Sequence, residues 1–179
     1  MNVNVGKSYH IKDEFFQLVD DQKLMRNREF GHYRPHYFVF ADPDTDGIYW
    51  AIPQSKQADK YQQLIHEKTK DGRKCDTIVI GNYGGVPNAF LIQNMFPIIP
   101  KFVDHEHTIG NISVNIHKAL SDEILSKAKH VLRLHKRGIR LVFPDIDHIY
   151  RVMKNLRFKD FLSCFSVCTY NMENIPIHS

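Results

Sequence analysis

Residues 32–60 read HYRPHYFVFADPDTDGIYWAIPQSKQADK, and the residue types in this stretch predict a β-hairpin. Two β-rich runs, HYFVF and IYWAI, flank Asp42-Pro43-Asp44-Thr45-Asp46-Gly47, whose Asp, Pro and Gly residues suit a chain reversal. Tyr33, Arg34 and His36 lead into the first run, and Ser55, Lys56 and Lys60 follow the second. The open end of the hairpin therefore collects phenol, guanidinium, imidazole, hydroxyl and ammonium groups.

Upstream, residues 5–11 suit a first strand. Residues 12–25 read as a helix, with Phe15, Phe16, Val19 and Lys23 on one side and Asp13 and Glu14 at its positive N-terminal end. Downstream, Ser55 reads as the N-cap of a helix reaching residue 70, closed by Asp71-Gly72-Arg73-Lys74. Residues 77–80 and 89–92 are short β-rich runs. Residues 96–103 are extended, and Pro97 and Pro100 put them at an edge or a bulge. Ile116, Leu120, Ile124, Ala128, Val131 and His135 recur at helical spacing in residues 114–138, which Gly138 stops. Residues 139–143 suit a strand and 145–154 a last helix. Residues 155–179 form a C-terminal extension, a final strand or a poorly ordered tail, beyond a single domain at residues 1–154. Strands interspersed with helices, without regular βαβ alternation, favour an α+β fold with a curled antiparallel sheet. Neither GxGxxG nor GxxxxGK[ST] occurs, which weakens the nucleotide-binding α/β classes.

A chain of 179 residues with 25% charged side chains and a net charge of +4 fits one soluble domain, and permits a polyanionic partner without demanding it. No run approaches a membrane span, the N-terminus lacks the apolar core of a signal peptide, and the three cysteines have no metal-site spacing. The expectation is a cytoplasmic protein.

Cleaving RNA without a metal requires a base near the 2′-hydroxyl, a cation on the phosphate and an acid for the leaving 5′-oxygen. His36 suits base or acid, Arg34, Lys56 or Lys60 suit the phosphate, and Ser55 can donate to a non-bridging oxygen beside its helix amides. The same residues equally fit a capping serine, solvated lysines and a half-buried histidine. Asp104-His105-Glu106-His107 crowds three kinds of metal ligand together, but neighbours on a strand point to opposite faces, so a solvated loop is expected and no metal site. Lys129, Arg133, Lys136, Arg137 and Arg140 make one side and end of the long helix basic, which suits either the helix C-terminus or a phosphate backbone. Tyr33, Tyr37, Tyr49 and Trp50 can stack bases, although alternation assigns about half of them to the core. Cys164 and Cys168 have no activating base and read as inert.

Over residues 7–154 the order of patterns resembles the toxin proteins of type III toxin–antitoxin systems, the ToxN/AbiQ/TenpN/CptN group, and CptN most of all. The carriers are SYHIKDEFFQLV, the entry Tyr33-Arg34-Pro35-His36, WAIPQSK before Lys60-Tyr61, FPIIP, and the long basic helix. The resemblance implies an extended SH3-like antiparallel β-barrel of the MazF/Kid toxin type with added helices. It implies a metal-independent, sequence-specific endoribonuclease without cofactor, leaving a 2′,3′-cyclic phosphate and a 5′-hydroxyl. Its partner would be a repeat-derived RNA pseudoknot antitoxin, which the toxin cuts into units and joins in a closed assembly. Its substrate would be cellular or phage mRNA. Carried over by motif, His36 stands where the family has a lysine, Ser55 matches the first of two hydroxyl residues, Lys56 takes the place of the second, and Lys60 is the downstream lysine. Tyr33 and Arg34 would position the nucleotide, with Lys101, Lys118, Lys129 and Arg133 gripping RNA. The competing class is a non-catalytic RNA- or DNA-binding module.

Overall fold

The computed structural model describes residues 2–172, with side chains described through residue 159. Its strands are β1 Ser8–Ile11, β2 Arg28–Glu29, β3 His32–Tyr33, β4 His36–Ala41, β5 Tyr49–Ser55, β6 Val79–Tyr83, β7 Val86–Phe90, β8 Phe96–Ile98, β9 Val103–Glu106, β10 Thr108–Ile109 and β11 Ile112–Ser113. Its helices are α1 Asp13–Val19, α2 Ala58–Thr69, α3 Lys118–Lys136 and α4 Ile146–Met172.

The hairpin forms as β4 and β5, with Tyr37 opposite Ile52 and Phe38 opposite Ala51. The Asp42 carboxylate orders its turn by accepting from the amides of Asp44 and Thr45, the Trp50 indole and the Tyr150 hydroxyl. Around this hairpin the antiparallel order is β6-β7-β5-β4-β1-β9, with β8 also on β5. One edge of β5 serves two partners: Tyr49, Trp50 and Ala51 face β8, whereas Gln54 and Ser55 face β7. Pro53, which has no N–H to give a ladder, lies between the two pairings. The expected antiparallel α+β class holds. Among the described residues the sheet is open, with β6 and β9 as its ends, rather than a closed barrel.

Each sheet face has its own core. Tyr37, Val39, Trp50 and Ile52 pack with Ile124, Ala128 and Val131 of α3. Tyr9, Phe38 and Ala51 pack with Phe15 of α1, Phe96 and Ile98 of β8, and Ile149 and Met153 of α4. The Phe15 and Phe96 rings stack at 5.0 Å. A smaller cluster of Tyr61, Ile78, Ala89 and Leu91 lies under α2.

Several boundaries differ from the sequence reading. Helix α1 stops at Val19 because Asp20 turns left-handed (φ 45°) and the Asp21 carboxylate captures the Lys23 and Asp145 amides. Ser55 is not an N-cap: α2 starts at Ala58, with Gln57 before it and no capping side chain. Helix α3 starts at Lys118 under the His117 imidazole, which accepts from the Ala119 amide, and the chain before it is extended. Gly138 (φ 85°) does end that helix region. Residues 139–143 form no strand; Val142 packs into the core of the sheet face that α3 covers, and the Phe143 amide donates to the Gln93 carbonyl. The last helix does not end at residue 154 but runs to Met172, so the tail is not a strand there. The side chains of Cys164 and Cys168 lie outside the described residues.

Candidate functional site

Strands β1, β4, β5 and the end of β9 meet at the open end of the hairpin, and the small β2–β3 hairpin leans across it. Tyr9 pairs with both His36 and Glu106, which fixes these strands side by side. The residues picked out from sequence divide here into buried supports and exposed groups.

His36 is a support. It is 0% exposed, between Phe96 (5.5 Å between centroids) and Phe16 (6.1 Å). The backbone of Arg34 and Tyr9 passes close by, yet neither ring nitrogen makes a well-formed hydrogen bond. Burial, then the Arg34 and His10 charges, push its pKa down to about 3. Direct proton transfer with RNA needs access that this packing denies, so the expected acid–base role of His36 is corrected. Arg34 is buried as well. Its guanidinium donates to the Gln54 and Arg26 carbonyls and sits 3.4 Å from Glu29, so it cannot touch a nucleotide from there.

Ser55 is 1% exposed, and its hydroxyl donates to Glu29 Oε1 at 2.7 Å. The Glu29 carboxylate also accepts from the Gln57 side chain and the Lys56 amide. A carboxylate thus fills the place before α2 where a phosphate was expected. Burial raises the pKa of Glu29, but the bonds from Ser55 and Gln57 and the Arg34 charge outweigh it and hold the group below its usual value.

The accessible groups are Lys56, Lys60, Tyr33 and a histidine cluster, in which the sequence reading names His105 and His107 but not His10. Lys60 lies on the first turn of α2, with its ammonium 5.9 Å from the centre of the Tyr61 ring. The Tyr33 hydroxyl bonds with Arg28 and Asp13, and its ring is 6.3 Å from that of His10. Beside it, His10 Nε2 meets His107 Nδ1 at 2.8 Å, and the His105 ring lies 4.6 Å from that of His10. Tyr83 stacks on His107 at 5.7 Å. Residues 104–107 are therefore not a loop alone: β9 carries the first three of them, and His107 bonds back to the Ser8 carbonyl through its amide. Among the described residues no group of three or more His, Cys, Asp or Glu side chains is arranged to hold a metal ion. Burial lowers the pKa of His10 to about 4, helped by His107 and His105 and opposed by Asp104. Burial, then Lys56 and His105, lowers that of His107.

The other expected RNA contacts lie elsewhere. Lys118 is exposed at the start of α3 and pairs with Asp122 at 2.6 Å. Lys101 is exposed on the short turn Pro100–Phe102, where its carbonyl accepts from Lys12. Lys129 and Arg133 line a cleft of about 840 Å³ with Phe40, Trp50 and Tyr150, at the turn end of the hairpin. Six residues of β4 separate the two ends, roughly 17 Å at about 3.4 Å per residue. Of the aromatics, Tyr37 and Trp50 are core, Tyr49 is half-buried and Tyr33 is exposed.

No family model and no curated protein matches the sequence. Solved structures do match in fold. One is AbiQ, a lactococcal anti-phage endoribonuclease of a type III toxin–antitoxin system, with TM-score 0.64 and 15% identity over 87% of this chain and 99% of that one. A second comes from a study of type III toxin inhibition by a non-coding RNA pseudoknot, with TM-score 0.63 and 15% identity over 86% and 99%. A third belongs to work on a bacterial antiviral system regulated by a processed non-coding RNA, with TM-score 0.56 and 15% identity over 81% and 95%.

Proposed function

We propose that this chain is a type III toxin, a metal-independent, sequence-specific endoribonuclease that leaves a 2′,3′-cyclic phosphate and a 5′-hydroxyl. It acts on cellular or phage mRNA in the cytoplasm. A pseudoknot RNA antitoxin, which it cuts from a repeat, holds it inactive in a closed assembly. The fold is an opened relative of the SH3-like MazF/Kid barrel, a reading supported by the way β5 divides its edge between β7 and β8.

The observation that carries the proposal is the gathering of imidazoles, a phenol and an ammonium group at the open end of the hairpin, on a fold like that of an endoribonuclease. Lys56 and Lys60 hold the scissile phosphate, and Tyr33 stacks on a base. Ser55 and Arg34 keep Lys56 in place through Glu29. Lys101, Lys118, Lys129 and Arg133 hold the antitoxin. Proton-transfer groups and fixed cations can perform this reaction without a Lewis acid.

The purified chain is incubated with RNA in excess EDTA, and product ends are read by mass spectrometry. Cleavage to cyclic phosphates is the expected result. Cleavage only after a divalent cation is restored contradicts metal independence. RNA binding with no cleavage under either condition favours the non-catalytic module.

A further inference from the structure

We propose that His107 is the general base of the cleavage reaction and that His10 is the residue that positions it. This assignment rests on the nuclease reading and gives its chemistry to His10, which no motif pointed to, and to His107, which the sequence offered only within the Asp104–His107 cluster.

The pair joins β1 to the end of β9 through the 2.8 Å contact between His10 Nε2 and His107 Nδ1, and one of these nitrogens must carry the proton. His10 is half-buried, and its Nδ1 is enclosed without a partner. Tyr33, His105, Asp104 and His36 face it, and the net effect keeps its ring neutral. A neutral His10 that accepts at Nε2 leaves the Nδ1 proton on His107 and turns the lone pair of His107 Nε2 outward. That nitrogen makes no hydrogen bond among the described residues, and His107 is only partly buried. The Tyr83 ring, 29° from parallel, holds the plane of His107. His105 and Lys56 are the charged or titratable neighbours that disfavour its protonation, which keeps the base free at neutral pH.

In the step, His107 Nε2 takes the proton of the 2′-hydroxyl, the O2′–P bond forms and the P–O5′ bond breaks. Water protonates the leaving oxygen, giving the 5′-hydroxyl and the 2′,3′-cyclic phosphate, and the imidazolium returns its proton to solvent. The new N–H⁺ charge is shared along the Nδ1–H bond to His10, and Lys56 faces the charge on the phosphorane.

Single-turnover cleavage by the full chain in EDTA tests this. The wild-type rate should rise with pH through a midpoint below 6.5 and then level. His107→Ala and the bulkier His107→Gln should each lose about a hundredfold or more, with partial rescue of His107→Ala by added imidazole. His10→Ala should slow the reaction and move the midpoint up toward 6.5, because water then reaches His107. His10→Gln, which keeps an acceptor, should recover part of the rate. A His107→Ala enzyme within threefold of wild type overturns the assignment alone, and so does a wild-type rate that is flat from about pH 4 to 7. If both His107 variants fail to fold, the wild-type profile decides. An inert wild type overturns the nuclease reading and this assignment with it.

Discussion

At His36, packing and protonation oppose each other. Its folded pKa of about 3 and that of His10, about 4, both lie below the ordinary 6.5. The unfolded chain therefore binds more protons between those limits, and stability falls as the pH drops from 6.5 toward 4. Each group contributes a slope of up to roughly 1.4 kcal/mol per pH unit. Urea unfolding of His36→Leu should show a shallower loss at pH 5 than the wild type, with RNA cleavage retained. Loss of cleavage in a folded His36→Leu protein would return His36 to the chemistry. Glu29 is the matching support on the other side, since it joins Ser55, the Lys56 amide, Gln57 and Arg34. Glu29→Ala strands a buried guanidinium and should cost about 3 kcal/mol in urea unfolding. The hydroxyl of Ser55 acts through this carboxylate, so Ser55→Ala should cost about 1 kcal/mol and slow cleavage without abolishing it.

Among the elements, the hairpin was legible because the β-rich runs of β4 and β5 and the chemistry of the turn between them agree locally. The periodicity of α3 was legible for the same reason. What sequence does not carry is partnership at a distance. His10 and His107 are 97 residues apart, and only the pairing of β1 with β9 brings them together. A hint did exist, since Ser8 and His10 alternate with the apolar Tyr9 and Ile11 and so share a face. Residues 139–143 carry strand propensity but find no ladder, and α1 ends early because Asp20 turns left-handed and the Asp21 carboxylate binds two backbone amides. At the junction of α3 with the sheet, a Cβ on Gly81 would collide with Leu120. Gly81→Ala should therefore destabilise by about 1–3 kcal/mol in thermal or urea unfolding. On the outer side of α3, Lys129→Ala with Arg133→Ala should weaken RNA binding and flatten its salt dependence, while single-turnover cleavage of a short RNA stays unchanged.

For the whole molecule, two separated regions share one rigid hairpin: histidines and Lys56 at its open end, and an aromatic, cation-rimmed cleft beside its turn. On the proposed function, an RNA that spans both would fill the cleavage site while held by the cleft, and that arrangement would account for the proposed inhibition by the antitoxin RNA. The salt dependence of such binding would follow the number of phosphates that the cations of the two regions neutralise. No helix among the described residues is long and apolar enough to cross a membrane. The most direct measurement is single-turnover RNA cleavage by the purified chain in excess EDTA, comparing wild type with Lys56→Ala and reading the product ends. The expected result is wild-type cleavage to 2′,3′-cyclic phosphate ends, with Lys56→Ala slower by about tenfold or more and still folded. Equal rates in the two proteins, or an intact substrate with both, would contradict a cleavage site at the open end of the hairpin.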